Sequence, residues 1–346
     1  LKAQEAMGCD LPPLILQGEP VLALEGAAAS LIAKDDVVLN LASGVYGKGF
    51  GYWAARYAKK VEEIEVAYDT AIDPEQVRAF LKDHPEVKVV CVCHHDTPSG
   101  TLNDIDAIGA IVAEAGALLL VDAVSSWGGM PTGPSSCQAG IFVTGPNKCL
   151  GCPPSLSLVA VSEAAWAKIE SNPDAPFASM LSLKDWKNAW KKTEPFPFTP
   201  SVAELNGLSA ALDRYLDEGP EQVWERHALT AKICREGIKG MGIELWPASE
   251  DIASPTATAV KMPQGIDAGI VLKEARARYG VSMSAGRAET LGKLIRIGHM
   301  GPTAQPGYAL LAVSAMGGAL KALGAKVDVA AGLAAAQATW DAAIDA

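Results

Sequence analysis

The sequence lacks the features of several classes of protein. No apolar run approaches the roughly 20 residues that a helix needs to cross a bilayer. No secretory signal is visible, because residues 1–7 read like the inside of a helix. Positive charge is scarce, since 29 Lys and Arg residues face 40 Asp and Glu residues and give a net charge of −11. We therefore expect neither nucleic acid nor a membrane as a partner.

Disulfides and metal sites are not expected either. The seven cysteines form an odd set without the spacing of a disulfide framework, which indicates reduced thiols and a cytoplasmic location. Cys149 and Cys152 form a C-x-x-C pair, but no second pair and no pair of histidines accompanies it. The sequence therefore predicts no metal site.

Predicted strands and helices alternate through at least four cycles in the first half of the chain. The expected strands of that half lie at residues 36–42, 62–68, 87–93, 117–122, 140–144 and 156–161. Such alternation predicts an α/β fold with a mostly parallel sheet between helices. From about residue 242 the pattern is α+β, with strands at 243–246, 256–261, 281–284 and 294–297. A chain of 346 residues suits one large domain and a smaller one.

Two charged residues follow neighbouring strands of the predicted sheet. Asp122 ends an apolar strand, and Lys148 closes the next one. A pyridine aldehyde needs an amine for a Schiff base and a carboxylate that keeps its ring nitrogen protonated. The carboxyl ends of parallel strands share one edge, where ligands bind in open α/β sheets. Taken singly, Lys148 could be a surface lysine and Asp122 a helix cap or a salt-bridge partner.

The segments VDAVSS (residues 121–126) and TGPNK (144–148) resemble the class V branch of the fold-type I aminotransferases. The resemblance covers nearly the whole chain. It implies a large domain, residues 1–235, that carries the Schiff-base lysine and lacks its N-terminal arm. It also implies a small α+β C-terminal domain, residues 236–346, that carries a carboxylate-binding arginine. The expected assembly is at least a homodimer, and a tetramer is possible.

The resemblance implies a role for each candidate site residue. Lys148 would form the aldimine and shuttle protons, and Asp122 would protonate the ring nitrogen. Arg296 would bind the carboxylate of a 2-oxo acid through its planar fork, with Arg287 as a second candidate. The remaining expected contacts are Tyr46 stacked on the ring, Val124 on the opposite ring face, Thr97 (or His95) at the phenolic oxygen, and Thr199 in the neighbouring subunit's site.

Departures from the family pattern predict the substrate. The loop that usually holds the phosphate reads Leu-Gln-Gly-Glu-Pro here, so Glu19 brings negative charge and Pro20 lacks an N–H donor. The residues before the lysine are Pro146 and Asn147, where the family has another phosphate contact. We therefore expect Glu19 to bind the hydroxymethyl group of unphosphorylated pyridoxal or pyridoxamine, both acting as substrates, with no tightly bound cofactor.

The predicted reaction converts pyridoxamine and pyruvate to pyridoxal and L-alanine through a Lys148 aldimine, in vitamin B6 degradation. The alternative within enzymes is an alanine–glyoxylate or serine–pyruvate aminotransferase with bound pyridoxal 5′-phosphate. A catalytically dead vitamer-binding module is the alternative from another class, although such a module would not require both Asp122 and Lys148.

Overall fold

Strands and helices alternate along the first half of the chain in the computed structural model, which describes residues 1–345. The strands are β1 (Leu14–Gln17), β2 (Val37–Ser43), β3 (Lys60–Val66), β4 (Val87–Cys93), β5 (His95–Asp96), β6 (Thr101–Leu102), β7 (Leu118–Asp122), β8 (Ile141–Thr144), β9 (Leu156–Val161), β10 (Ala257–Lys261), β11 (Ser284–Ala285) and β12 (Leu294–Gly298). The helices are α1 (Lys2–Met7), α2 (Pro20–Leu31), α3 (Val45–Tyr57), α4 (Pro74–Asp83), α5 (Ile105–Glu114), α6 (Glu163–Ser171), α7 (Leu183–Trp186), α8 (Val202–Glu218), α9 (Pro220–Gly240), α10 (Ala268–Tyr279), α11 (Pro306–Ala322) and α12 (Val329–Ile344).

A seven-stranded sheet forms the centre of the described part of the chain, with strand order β1-β9-β8-β7-β4-β2-β3. Strands β3, β2, β4, β7 and β8 are parallel, while β9 is antiparallel to β8 and β1 is antiparallel to β9. The inner strands are almost wholly apolar because helices cover both faces of the sheet. The predicted α/β fold with a mostly parallel sheet is confirmed.

Each face of this sheet has its own apolar core. Residues of α1, α4, α5 and α8 pack on one face, and residues of α2, α3, α6 and α7 pack on the other. A third core lies between α9, α10, α11 and α12 and the small antiparallel sheet β10-β12-β11. The predicted domain boundary after residue 235 falls inside α9, and a division of the chain there stays a prediction.

The structure departs from the expected elements at three places. Residues 14–17 form an edge strand that the sequence pattern did not indicate, because β9 supplies its hydrogen-bonding partner. The strand expected at 243–246 is reduced to a single bridge between Leu245 and Val260. The strand expected at 281–284 is reduced to the two residues Ser284 and Ala285. No helix among residues 1–345 has the length and apolar character that crossing a bilayer would take.

Candidate active site

The carboxyl ends of β2, β4, β7 and β8 meet at one edge of the large sheet. Asp122 is the last residue of β7, and Lys148 lies in the turn that follows β8. Arg296 comes from β12 of the small sheet. The charges of Asp122 and Arg296 both act on the amine of Lys148, so the fold brings these three predicted residues together.

Lys148 is half-buried, and its Nζ has no hydrogen-bond or ion-pair partner in the described part of the chain. Burial lowers the pKa of the amine, and the nearby Arg296 lowers it further. The charges of Asp122, Cys149 and Glu19 act in the opposite direction. An unpaired amine with a lowered pKa is the form that attacks a carbonyl or accepts a proton.

The turn that carries Lys148 is closed by a segment from the C-terminal part of the chain. Gly301 has a φ of 56°, and a Cβ at this position would lie 2.5 Å from the carbonyl oxygen of Cys149 and 3.3 Å from that of Lys148. The Gly301 N–H donates to Nε2 of the buried His227 over 2.9 Å. Glycine is therefore required at residue 301 by both backbone conformation and space.

Asp122 is a buried carboxylate, only 8% exposed. Its Oδ1 accepts the backbone N–H of Val124 over 2.9 Å, and its Oδ2 lies 3.6 Å from the thiol sulfur of Cys93. Burial raises the pKa of Asp122 to about 6, while the Val124 and Cys93 hydrogen bonds and the Lys148 charge oppose that rise. The carboxylate is thus ionised at neutral pH and lies in an environment that favours a cationic partner.

Arg296 is a half-buried cation without a carboxylate partner among residues 1–345. Its Nε donates to the carbonyl oxygen of Ala285 over 3.3 Å, which leaves the outer fork of the guanidinium free of protein acceptors in the same described residues. Burial lowers the pKa of Arg296, and Arg287 adds to this effect while Tyr46 and Asp96 oppose it. A half-buried guanidinium without a carboxylate partner fits an anionic ligand, because removing an unpaired charge from water is costly.

Tyr46 lies in the first turn of α3 because a residue from another element caps that helix. The carboxylate of Asp96 accepts the Tyr46 N–H over 2.7 Å and also accepts the hydroxyl of Ser99 over 2.8 Å. Gly44, at φ 93°, leaves room for this carboxylate, since a Cβ there would lie 2.2 Å from the Asp96 Cγ. Tyr46 is therefore helical owing to a tertiary cap that the local sequence does not reveal.

Thr97 and His95 are both buried beside this cap. The Nδ1 of His95 lies 3.0 Å from the carbonyl oxygen of Ser125 and 3.1 Å from the hydroxyl of Thr256. The Nε2 of His95 has no partner among the described residues, and burial lowers the pKa of the ring to about 3. Two contacts for a ligand's phenolic oxygen thus remain, the Thr97 hydroxyl and the free nitrogen of a neutral imidazole.

The other predicted residues are placed as follows. Val124 is half-buried next to Asp122, and Glu19 is exposed at the residue before α2, near enough for its charge to act on Lys148. Arg287 is exposed. Its backbone N–H donates to the Thr290 hydroxyl, and that hydroxyl donates to the Arg287 carbonyl oxygen. Thr199 is exposed, and its carbonyl oxygen accepts from Gln17 of the same chain over 2.9 Å. No partner chain is present, so the partner-subunit role of Thr199 stays a prediction.

Two residues of this region were not singled out from the sequence. Asp96 anchors Tyr46, and Cys93 contacts Asp122. A signal for Cys93 was available, because β4 and β7 are neighbouring strands that end at Cys93 and Asp122. The sequence contains no comparable signal for Asp96, because its partner Tyr46 lies 50 residues away in the chain.

Comparisons with known proteins agree with this geometry. The family model "Aminotransferase class-V" matches residues 49–301. Pyridoxamine–pyruvate transaminase of Mesorhizobium japonicum is 64% identical over 341 residues, which are 99% of this chain and 87% of the relative. The crystal structure of pyridoxamine–pyruvate aminotransferase from Mesorhizobium loti superposes with a TM-score of 0.98 at 64% identity, covering 100% of this chain and 88% of that one. Ureidoglycine–glyoxylate aminotransferase from Bacillus subtilis gives a TM-score of 0.92 at 25% identity, covering 98% and 88%.

These matches correct one prediction. We expected no tightly bound cofactor, but class V aminotransferases of fold type I use pyridoxal 5′-phosphate as a bound cofactor, so this expectation is wrong. The repulsion from Glu19 is weaker than we expected. Its side chain is exposed, and two like charges about 4 Å apart in water repel by only about 1 kcal/mol. Helix α2 also begins directly after Glu19, and helix N-termini attract anions.

The residues at this sheet edge fit a pyridoxal ring. Asp122 offers a buried carboxylate to a protonated ring nitrogen, and Lys148 offers an unpaired amine. The Nε2 of His95 and the Oδ1 of Asn147 are buried polar atoms that lack a partner among residues 1–345, as expected where a polar ligand completes a site. The same residues contain no group of three or more His, Cys, Asp or Glu side chains placed to hold a metal ion.

Proposed function

The chain belongs to the class V aminotransferases, and from this premise we propose that it transfers the amino group of pyridoxamine to pyruvate, which gives pyridoxal and L-alanine. The observation that carries this proposal is the buried Asp122 carboxylate facing the same sheet edge as the unpaired Lys148 amine. The 64% identity with a pyridoxamine–pyruvate transaminase over 99% of the chain supports this pair of substrates.

Asp122 holds the proton on the ring nitrogen. When bound, the pyridoxal ring acts as an electron sink. It accepts the electron pair that stays on a carbon atom when a proton leaves that carbon. The sink works only while the ring nitrogen is protonated, and an ionised carboxylate beside that nitrogen raises its affinity for the proton. The Val124 N–H fixes Oδ1 of Asp122 and thereby the plane of the carboxylate.

Lys148 moves protons. Its lowered pKa leaves a larger fraction of neutral amine at pH 7 than an exposed lysine has, and neutral amine is required both to bond to a carbonyl carbon and to accept a proton from carbon. The Gly301 segment fixes the position of the turn, so Nζ is directed by a rigid backbone. A proton transfer of this kind contributes roughly 10²- to 10⁴-fold to a rate.

Arg296 binds the carboxylate of pyruvate or alanine. Its free fork matches a carboxylate with two parallel hydrogen bonds, and burial strengthens the pairing. Arg287 adds positive charge nearby from an exposed position. Tyr46 covers one face of the ring and Val124 the other, while Glu19 binds the hydroxymethyl end and Thr97 or His95 the phenolic oxygen.

A homodimer and a cytoplasmic location are parts of the same proposal. Large apolar side chains are exposed in the 172–200 segment, with Phe177 at 80% and Trp190 at 58%, and this supports a subunit interface there that would carry Thr199. Sedimentation velocity tests the assembly, and a monomer at micromolar concentration would contradict it. The two-domain division of the chain, residues 1–235 and 236–346, is likewise proposed.

The test of function is alanine formation from pyruvate with pyridoxamine as the amino donor, followed with and without added pyridoxal 5′-phosphate. We expect pyridoxal and alanine to appear in equal amounts. The Lys148→Ala protein should bind pyridoxamine yet form no alanine, whereas Lys88→Ala, which removes an exposed lysine on β4, should keep full activity. Transfer from alanine or serine to glyoxylate, with no reaction of pyridoxamine, would favour a glyoxylate-type aminotransferase instead.

A further inference from the structure

The thiol of Cys93 lies against the carboxylate of Asp122. The two residues are the last of β4 and β7 and are paired in the parallel register of the sheet. The side chain of Cys93 is 1% exposed, and its Sγ lies 3.6 Å from Asp122 Oδ2 and 3.4 Å from the carbonyl oxygen of His95. Register partners in neighbouring strands point to the same face, so the sheet itself fixes this contact.

Each carboxylate oxygen of Asp122 has one protein hydrogen-bond donor in the described part of the chain. Oδ1 accepts the Val124 N–H, and the Cys93 thiol is the one protein donor within reach of Oδ2 in the described part of the chain. The charged groups that act on the carboxylate are Lys148, from the turn after β8, and Asp96, from β5. Lys148 forms no ion pair with Asp122 in residues 1–345, and Asp96 carries a charge of the same sign as Asp122, so Cys93 is the partner that acts on Oδ2 directly.

A thiol at this place has a definite chemical effect. Burial, together with the negative charges of Asp122 and Asp96, raises the pKa of Cys93 well above its usual value, so the sulfur keeps its proton and always donates. A thiol is a weak donor. It therefore orients Oδ2 while withdrawing little charge, and the carboxylate keeps most of its attraction for a cationic partner.

We propose that Cys93 is a positioning residue for the aminotransferase reaction: its thiol orients Oδ2 of Asp122 and sets how strongly this carboxylate attracts the proton of the bound ring nitrogen. This inference rests on the proposed function, because only a ring nitrogen gives Asp122 that task. A stronger donor at residue 93 weakens the attraction, and a side chain without a donor leaves Oδ2 unpaired.

Cys91 provides a matched control on the same strand. It is also a fully buried thiol of β4, but its register partner is Leu120, and burial alone raises its pKa to about 12. Substitutions at Cys91 and Cys93 remove the same atoms from the same strand. A purely structural effect would appear at both positions, whereas an effect through Asp122 would appear only at Cys93.

The first experiment uses the ligand-free protein and does not depend on activity. The S–H stretching band of Cys93 is identified in the infrared as the band lost in Cys93→Ala and kept in Cys91→Ala. We expect Asp122→Asn to move this band to higher frequency, because an amide oxygen is a weaker acceptor than a carboxylate. A band that does not move would show that the thiol donates to the His95 carbonyl and would overturn the proposal.

The second experiment follows the acid limb of the kcat/KM profile. We expect Cys93→Ser to move it to lower pH and Cys93→Ala to higher pH, each by about half a unit, with Cys91→Ser unchanged. The absorbance of the bound ring should show the least protonation of the ring nitrogen in Cys93→Ser and the most in Cys93→Ala. Equal shifts at Cys91 and Cys93, or none at either, would overturn the proposal. If Cys93→Ala fails to fold, the shift measured in Cys93→Ser decides the test. If pyridoxamine is not a substrate, the infrared experiment still tests the contact between Cys93 and Asp122.

Discussion

The carboxylate of Asp96 accepts the backbone N–H of Tyr46 over 2.7 Å, although 50 residues separate them in the chain. This contact starts α3 at the sheet edge and thereby places Tyr46 where the ring is proposed to bind. Asp96 is itself held by Ser99, and burial raises its pKa, so the cap is a desolvated group with its partners in place. The position of Tyr46 therefore depends on β5, the short strand that follows β4.

The Gly44→Ala protein should be destabilised by about 2 to 4 kcal/mol, because the new Cβ meets the Asp96 carboxylate and the backbone has a positive φ. Chemical denaturation measures this change. Gly49→Ala is the control within the same helix, since a Cβ there meets nothing within 4 Å, and it should be neutral or stabilising. Equal stability of the two variants would show that the Asp96 cap adapts.

Arg296→Lys should raise the KM for pyruvate roughly 30- to 1000-fold, since a lysine cannot form the paired hydrogen bonds of a guanidinium. The turnover number should fall less than the affinity. Arg276→Lys, on an exposed face of α10, is the control and should change neither quantity. An unchanged KM in Arg296→Lys would remove this residue from the carboxylate site and leave Arg287 as the candidate.

The half-buried Arg296 should also lower the folding stability of the ligand-free protein, because this cation has no carboxylate partner in the described residues. Arg296→Met should therefore raise the denaturation midpoint of the ligand-free protein while it abolishes pyruvate binding. Addition of pyruvate should stabilise the wild-type protein but not this variant. A lower midpoint in Arg296→Met would show that the arginine has a structural role.

The titration of Asp122 predicts a pH dependence of stability. Its pKa is raised from the usual 3.8 to about 6, so between these values the folded protein holds a proton that the unfolded chain has released. The contribution of Asp122 to stability therefore falls as the pH rises from about 4 to about 6 and does not recover above that range. At pH 7 the buried Asp122 carboxylate lowers the free energy of unfolding by on the order of 3 kcal/mol.

Asp122→Asn should remove this fall and make the ligand-free protein more stable than the wild type at pH 7, although nearly inactive. Urea denaturation at several pH values measures the difference. Asp83→Asn, at the exposed end of α4, should keep the pH dependence of the wild type. A parallel pH dependence in all three proteins would contradict a buried, titrating Asp122.

The sequence predicted the parallel sheet and the Asp122–Lys148 edge because both follow from local rules. Apolar runs of strand length alternate with helical patterns, and the carboxyl ends of parallel strands share an edge. The cap on Tyr46, the thiol on Asp122 and the edge strand β1 depend on partners that lie far away in the chain. Such contacts leave no periodicity in the sequence. The cofactor prediction failed because it gave too much weight to the negative charge of Glu19, whose exposure is a property of the fold.

The contact between Gly301 and the Lys148 turn has a consequence for protein synthesis. All strands of the large sheet precede residue 162, so a nascent chain can assemble the sheet while its last residues are still inside the ribosome. The turn that carries the lysine remains open until Gly301 and its partner His227 have emerged and docked. A chain that ends before residue 301 would fold its sheet and present an unsupported lysine. Enzymatic turnover therefore distinguishes chains that reach residue 301 from chains that end before it.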